Sequence, residues 1–473
     1  MPARTPKVID IVLIGTGISG LNFIDKYLEK KQILHVISPP DTEKKLSKKK
    51  HKLNLLPSQM RGKYTTVENY LSANQLNLSG NCKALGALNF GGLSNYWGLQ
   101  IDNYFINDQK NFSKNELKIL KKNFFQFINK FKLLGKINKE NTIHQYINDF
   151  KIPKNFLSIL KKKNTEFYCK KPILAFSKGN FSGNLNSIVE KKDRLNASNL
   201  FKKINRKKKI VFHKCYVEEI KKSGNLIELF CKNDGKSRIL RAKKVVFACG
   251  TIATTKIIMK FLKIKHEVKI KHHPRLLSVY FSKQRINSNL SFTPSLLQLV
   301  NKSKKDLFTA DLRPGNKLIT ESIIDAFPYM KIFKSLINFF RHRLIFSNLL
   351  ADSSYSNIFL KKNKDSYDLY SKNLNLRKTL RLKNKKVFQF LKKEGIIFPF
   401  YRTFFPGSGA DYHYFGSIPF KKKGRLTVNN KCQLRSYSNI FILDGSVFDF
   451  KSNKYPLGIV AANARRIANL LSS

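Results

Sequence analysis

The apolar run Val8-Ile-Asp-Ile-Val-Leu-Ile14 passes directly into Gly15-Thr-Gly17-Ile-Ser-Gly20. A run of this kind reads as a strand buried within a parallel sheet. Glycines at these spacings allow a tight turn, close approach of backbone to a pyrophosphate, and close packing of the next helix on the strand. Leu21 to Leu28 continues with helical spacing, and Ile33 to Ile37 reads as a second strand. The pattern predicts a dinucleotide-binding βαβ unit, with Gly15, Gly17 and Gly20 at the phosphates and the helix N-terminus facing them. The acidic residue that ordinarily closes the second strand and holds ribose hydroxyls is absent. Ser38-Pro39-Pro40 stands there, with Asp41 and Glu43 beyond. Ser38 offers one weaker hydrogen bond, so this unit alone does not choose the nucleotide.

The chain has 473 residues, enough for a large core and two domains. Its 42% hydrophobic content is modest, and 12% aromatic residues offset that with bulk. The formal charge of +60 invites a nucleic-acid or membrane reading. Basic residues are spread along the chain, as in Lys44 to Lys52, Lys161 to Lys163 and Arg206 to Lys209, with no compact nucleic-acid motif beside them. Attraction to an anionic membrane surface or anionic partner is therefore preferred to specific nucleic-acid binding. Cys82, Cys169, Cys215, Cys231, Cys249 and Cys432 form no CxxC pair and have no histidine at metal-ligand spacing. They read as buried thiols in a reducing compartment, and no metal site is expected.

The first strand begins by Val8, which leaves no room for a signal peptide, and no run of about 18 apolar residues is present. The expected location is cytoplasmic, with peripheral contact to a membrane left open. Ala326 to Leu350 is the most hydrophobic long segment, but Lys331, Lys334, Arg341 and Arg343 interrupt it. It reads either as an interfacial amphipathic helix or as a helix over a buried pocket.

Further along, Lys114 to Lys132 has a helical apolar face of Leu117, Leu120, Phe124, Phe127, Ile128 and Phe131. Phe176 to Asn186 reads as a loop, Lys208 to Cys231 as alternating strands, and Val245 to Gly250 as a buried strand. Residues 275 to 400 have mixed periodicity and no chemical motif, and nucleotide-domain character returns from Asp411. The expected fold is α/β: a Rossmann-like domain, discontinuous in sequence, with an inserted substrate-binding domain. The boundaries read from the chain are 1–110, 205–275 and 405–473 for the first, and 111–204 and 276–404 for the second. An active site belongs at their interface.

Three further stretches carry chemistry. Gly86 to Gly98 holds the pair Gly91-Gly92, which lets backbone approach a flat ligand, then Ser94, Asn95, Tyr96 and the single tryptophan, Trp97. Tyr412-His413-Tyr414-Phe415-Gly416 places a histidine among aromatics, where a neutral imidazole can take a proton from a hydroxyl. Asn439 to Leu443 leads into Asp444-Gly445-Ser446, followed by Tyr455-Pro456 and an Ala-rich helix over Ile459 to Leu471.

In this order, these motifs resemble the glucose–methanol–choline (GMC) oxidoreductases, a family of FAD-dependent flavoproteins. The resemblance covers about half the chain: the two ends and the middle. It implies that Gly15, Gly17 and Gly20 meet the FAD pyrophosphate and that Val217 meets the adenine through its backbone. Gly250 would end the family's Ala-x-Gly strand near FAD, and Gly91, Gly92, Ser94 and Asn95 would contact the flavin. Ser94-x-x-Trp97 is similar to the version in sugar-oxidising members. His413 matches the His-x-x-Gly catalytic position, and Asp444-Gly445 the C-terminal FAD motif, with Asp444 available to ribose or ribityl hydroxyls.

The family implies alcohol (CH–OH) oxidation, with His413 as base and hydride passing to flavin N5. A sugar or sugar conjugate is the suggested substrate, with an electron acceptor unspecified. Tyr96 stands where some members carry the histidine joined to FAD, so the cofactor is expected to be non-covalent. Tyr455 replaces the usual second catalytic His or Asn, and Asn453 is a nearby substitute. The competing readings are another class of flavoenzyme, and a non-catalytic nucleotide-binding or flavin-binding protein at a membrane surface.

Overall fold

The computed structural model describes residues 8–31, 33–39, 70–95, 100–101, 111–130, 158–160, 166–170, 197–202, 204, 209–233, 235–286, 295, 297–303, 306–315, 324, 328–372, 375–420, 423–449, 451 and 454–473. The segment 176–186, read as a loop, lies outside these residues.

Strand β1 (Ile9–Ile14) is central because Val12 and Leu13 are fully buried, as a parallel strand with both faces covered requires. It pairs in parallel with β2 (Ile33–Ser38) on one side, and α1 (Ile18–Tyr27) makes the crossover. Beyond β2 lies β5 (Lys209–Lys214), also parallel. On the other side of β1 lies β8 (Lys236–Phe247), followed by β18 (Tyr437–Ile442) and the short β17 (Gln433–Leu434).

The first half of β8 pairs antiparallel with β7 (Leu226–Asn233), which pairs with β6 (Tyr216–Ser223). Its second half runs parallel between β1 and β18. One sheet is therefore assembled from three separate stretches of chain. Within the stretch read as alternating strands, the backbone bends at Cys215 from β5 into β6.

The helical layer beside this sheet is tied by charge. Helix α7 (Leu457–Ser472) packs on α1, and Arg465, 2% exposed, holds Asp25 of α1 at 2.6 Å. Lys130, at the end of α2 (Lys114–Lys130), reaches the other oxygen of Asp25 at 2.7 Å. The apolar face of α2 buries Leu120, Phe124, Phe127 and Ile128, and it rests on α7. This helix comes from the stretch assigned by sequence to the inserted domain, yet its packing is with the nucleotide-binding layer.

A second, antiparallel sheet has the order β16-β10-β13-β12-β11-β4: Ile397–Phe404, Arg275–Ser282, Leu344–Ala351, Phe308–Pro314, Leu297–Asn301 and Phe167–Lys170. Side chains alternate across it. One face packs on a helix over Leu376–Lys393, where Ser278 and Tyr280 both donate to Asn384 Oδ1 at 2.7 and 2.6 Å. The register Leu277–Asn348–Asp311–Gln298 sets a polar row on the opposite face. This alternation of polar and apolar residues on a two-sided sheet explains the mixed periodicity of 275 to 400.

A third sheet, β3-β15-β14-β9, joins Leu76–Ser79, Ser366–Ser371, Ile358–Asn363 and Val268–Ile270. The segment Ala326 to Leu350 is not one helix. Its described part is a 3₁₀ turn over Pro328–Phe333, a seven-residue helix over Lys334–Phe340, a 3₁₀ turn over Arg341–Arg343, and then β13. From Leu344 the burial alternates with period two, so the helical pattern ends there.

Replacing Arg465 by Met should cost about 3–5 kcal/mol, because a buried carboxylate loses its main counter-charge. Chemical denaturation of the two proteins at neutral pH measures the difference. A change under about 1 kcal/mol would show that Lys130 alone satisfies Asp25.

Candidate active site

The three glycines of the first turn do three different jobs. Gly15 has φ +102°, and a Cβ there would lie 2.4 Å from the Ala248 carbonyl oxygen. Its N–H donates to the Ile37 carbonyl at 2.9 Å, closing the turn across two strands. A Cβ on Gly20 would lie 2.0 Å from the Gly15 carbonyl oxygen, so Gly20 lets α1 sit on the strand end. A Cβ on Gly17 would meet nothing nearer than 3.9 Å. A Cβ there would be in ordinary contact with two carbonyl oxygens at the edge of an open space, and Gly17 starts α1 with no side-chain cap. The unpaired N–H groups of that first turn are suited to an anion.

That open space is a cleft lined by Gly15, Gly17, Gly91, Gly92, Ser94, Val217, Gly250, Asp444, Gly445, His413 and Tyr455, among others. Residues read as four distant motifs thus meet around one cavity. The segment after Gly86 is stitched to the first turn, since the Gly91 N–H donates to Thr16 Oγ1 at 3.1 Å. Gly86 is small because the Tyr70 ring lies over it; an added Cβ would sit 2.3 Å from the ring. Gly250, at φ +90°, starts α4 (Thr251–Phe261), whose N-terminus also opens on the cleft without a side-chain cap.

Gly20, Ser38 and Asn95 stand behind the lining rather than in it. Ser38 Oγ lies 2.9 Å from Thr16 Oγ1, so it braces the glycine turn instead of presenting itself to a ribose. Asn95 donates to the Phe90 carbonyl at 2.7 Å, and Ser94 Oγ to the Gly91 carbonyl at 2.6 Å. Asp444 borders the cavity, but its carboxylate is already occupied. Oδ1 accepts from the Ser446 N–H at 3.1 Å and its hydroxyl at 2.6 Å; Oδ2 accepts from the Gly250 N–H at 3.1 Å and from the Thr254 hydroxyl. It therefore fixes the start of α4 rather than reaching for ligand hydroxyls. Tyr96, Trp97 and Asn453 lie outside the described residues.

His413 is half-buried at one end of the cleft. It follows Tyr412, which holds a left-handed φ of +62° that a tyrosine seldom adopts. Such backbone persists where surroundings impose it, and it sets the direction of the next side chain. The surroundings here centre on Asp411, which is buried. Its Oδ1 is 2.9 Å from His272 Nδ1, and its Oδ2 accepts from the backbone N–H groups of His273 (3.0 Å) and His413 (3.2 Å). The opposing pulls on Asp411 are burial, which raises its pKa, and His272, then His413 and His273, which hold it down at about 2. His272 is held from its other side by Asn357 Oδ1 at 3.2 Å.

His413 Nδ1 lies 3.4 Å from His273 Nδ1, and its ring meets Tyr455 edge-on at 5.1 Å between centroids. Burial lowers its pKa below the ordinary histidine value, against the pull of Asp411, so the ring is neutral at neutral pH. The ligating atoms of His273, Asp411 and His413 fall within 4.8 Å of one another, but the carboxylate is committed to His272 and to the two backbone donors.

Tyr455, 6% exposed, donates its hydroxyl to Asp311 Oδ2, a buried carboxylate of the antiparallel sheet. Gln298 Nε2 donates to Asp311 Oδ1 at 2.9 Å. With its proton given to Asp311, the Tyr455 oxygen turns lone pairs outward as an acceptor. Arg275 of β10 donates to the Ala410 carbonyl at 3.0 Å and lies close enough to lower the pKa of His413. Sequence reading missed Asp411, His272, His273, Arg275 and Asp311. The run His272-His273-Pro274-Arg275 was a visible signal, whereas Asp311 sits in a strand with no motif around it.

No protein-family profile matches this sequence, and no curated protein sequence matches it. Among solved structures, pyridoxine 4-oxidase from Mesorbium loti, a GMC oxidoreductase, is similar over 98% of this chain and 99% of its own, with a TM-score of 0.58 and 12% identity. The chain therefore has the fold expected from its motifs: mixed α/β, a Rossmann-like layer with an inserted sheet domain.

Gly17→Val should fold normally and fail to bind FAD, because its methyls would enter the open space at the α1 N-terminus. Gly15→Ala should instead lose stability, since its Cβ meets backbone at 2.4 Å. Thermal melts and FAD titration of both variants separate the two roles. FAD affinity unchanged in Gly17→Val would place the cofactor elsewhere.

Proposed function

We propose that the protein is an FAD-dependent oxidoreductase that oxidises an alcohol group, CH–OH, of a sugar or sugar conjugate. One observation carries this reading: the glycine turn and the His413–Tyr455 pair, more than 390 residues apart in sequence, line the same cleft. The cleft fits FAD by its donor set. The N-terminus of α1, which has no side-chain cap, suits the pyrophosphate, Gly17 borders the cleft there, and Val217 and Ile37 offer an apolar slot for the adenine. When bound, FAD supplies the two-electron acceptor for the reaction, and the protein supplies orientation and electrostatics.

The chain's own residues do the acid–base work. Neutral His413 accepts the substrate hydroxyl proton, and Nε2 is the nitrogen left for it because Nδ1 faces His273. Asp411 fixes the loop and stabilises the charge that appears on the histidines. Tyr455, held by Asp311, accepts a hydrogen bond from a neighbouring substrate hydroxyl and so positions the reacting carbon. Asp311 and Gln298, buried and bonded to each other, back Tyr455 from the inserted sheet. The preference for a sugar rests on the Ser94-x-x-Trp97 resemblance.

The inserted sheet with its packed helix forms the proposed substrate domain. The six cysteines are all free, which agrees with a reducing, cytoplasmic setting. Among the described residues no helix is long and apolar enough to cross a membrane. A flavin-binding protein without turnover is the rival, and the constrained histidine array around Asp411 favours catalysis.

FAD should leave the protein on acid precipitation, because Tyr96 cannot form the linkage that a histidine makes. Yellow colour in the supernatant is expected; colour retained by the pellet would refute non-covalent binding.

An anaerobic screen of sugars and alcohols for flavin bleaching identifies a substrate. With one in hand, His413→Ala should keep FAD and slow bleaching by about 10²–10⁴-fold. Tyr455→Phe should slow it less while lowering stability, since Asp311 loses a buried donor. The acid limb of the wild-type rate should lie below pH 6.5, because the lowered pKa keeps His413 neutral in weak acid. Unchanged rates in both variants would move the active site.

A further inference from the structure

One surface of the inserted domain is apolar where water should make it polar. Between Pro328 and Phe340, Ile332 is 81% exposed, Phe339 70%, Tyr329 67% and Leu336 54%, with Phe333 and Phe340 also exposed. A cluster of large side chains on one short segment marks an interaction site rather than a scatter of single surface residues. The cluster extends onto the neighbouring sheet. Phe340 lies 5.6 Å from Phe281 between ring centroids, and Phe281 lies 5.8 Å from Phe400, which is 56% exposed on edge strand β16.

The charges within this segment have one sign. Residues 328 to 343 contain no acidic side chain. Lys331, Lys334, Arg341 and Arg343 belong to the segment itself. The Arg343 guanidinium donates to the Lys283 carbonyl at 2.8 Å, which brings exposed Lys283 and Arg285 alongside. Among the described residues, none of these six cations takes part in an ion pair. Arg285 and Arg341 both act on His342, whose pKa is lowered first by burial and then by these two.

We infer that this face docks on an anionic lipid bilayer. The rings and aliphatic side chains would enter the headgroup and acyl boundary, and the cations would meet lipid phosphates. A second copy of the chain is a poor occupant. A two-fold interface would bring each cationic rim against its equivalent, with no acidic residue on this segment to relieve the repulsion. An acidic protein partner would satisfy the cations but not require so many exposed aromatics. The inference is independent of the proposed catalytic activity.

Flotation of the purified holoprotein with vesicles of phosphatidylglycerol and phosphatidylcholine tests it. Wild type should float with the vesicles, and partition should fall as salt rises past about 0.1 M. The apolar contact should keep part of the binding that screening cannot remove. Ile332→Glu with Phe339→Glu should reduce partition by roughly a hundredfold, with FAD content and melting temperature unchanged. Charge reversal at Lys121 and Lys122, exposed on α2, should change it little.

Wild type that stays off anionic vesicles would overturn the inference. So would equal partition of the Ile332/Phe339 variant, or a loss from Lys121/Lys122 reversal as large as from the patch. Self-association that the patch variant abolishes, without vesicle binding, would assign the face to a second copy instead.

Discussion

The candidate site depends on one buried carboxylate. Asp411 takes His272 through its side chain, and His273 and His413 through their backbones. These residues arrive on different connections: His272 and His273 follow β9 at the edge of the third sheet, and His413 belongs to the loop after β16. Without the carboxylate, two buried imidazoles and the left-handed Tyr412 backbone would lack the force that holds them together. A charge this deep is tolerable because His272 and two backbone N–H groups meet its oxygens. Its lowered pKa measures that compensation. The stabilisation is full above the ordinary aspartate value near pH 3.8 and is lost as pH falls through about 2. The array is therefore held by a charged Asp411 at neutral and weakly acid pH.

A similar economy governs the glycine-lined end of the cleft. Asp444 spends both oxygens on the start of α4 and on the turn after β18, which fixes Gly250 at the cavity edge. The first glycine turn is fixed by Ser38 and Thr16, and the second glycine segment by Thr16. Polar side chains thus hold glycine backbones in place, and the backbones form the lining. A flat, extended cofactor is served by such a surface because backbone N–H groups donate without long side chains that must be ordered.

The parts of the fold that were legible in the sequence are those whose cause is local. A buried strand, a glycine turn and an amphipathic helix carry their periodicity within a dozen residues, so β1, α1 and α2 are readable with near-correct bounds. That His413 borders the cleft was readable because the Tyr412-His413-Tyr414-Phe415-Gly416 stretch is short and self-contained. The inserted sheet was not. Its strands alternate between a face on the helix over Leu376–Lys393 and a polar face toward the site, and only register brings Asn348, Asp311 and Gln298 into one row. Asp444 shows the opposite failure. Its position beside the cofactor motif was legible, but its saturation by Ser446, Thr254 and Gly250 depends on a contact across 190 residues.

Strand β10 connects the two proposals physically. Arg275 at its start lies beside His413, and Phe281, near its other end, belongs to the apolar patch. Six residues separate them, an even number, so both side chains project from the same face of the sheet. At about 3.3 Å per residue the span is about 20 Å. On the proposed docking, this strand would set the distance between the lipid-facing Phe281 end and the Arg275 end beside His413.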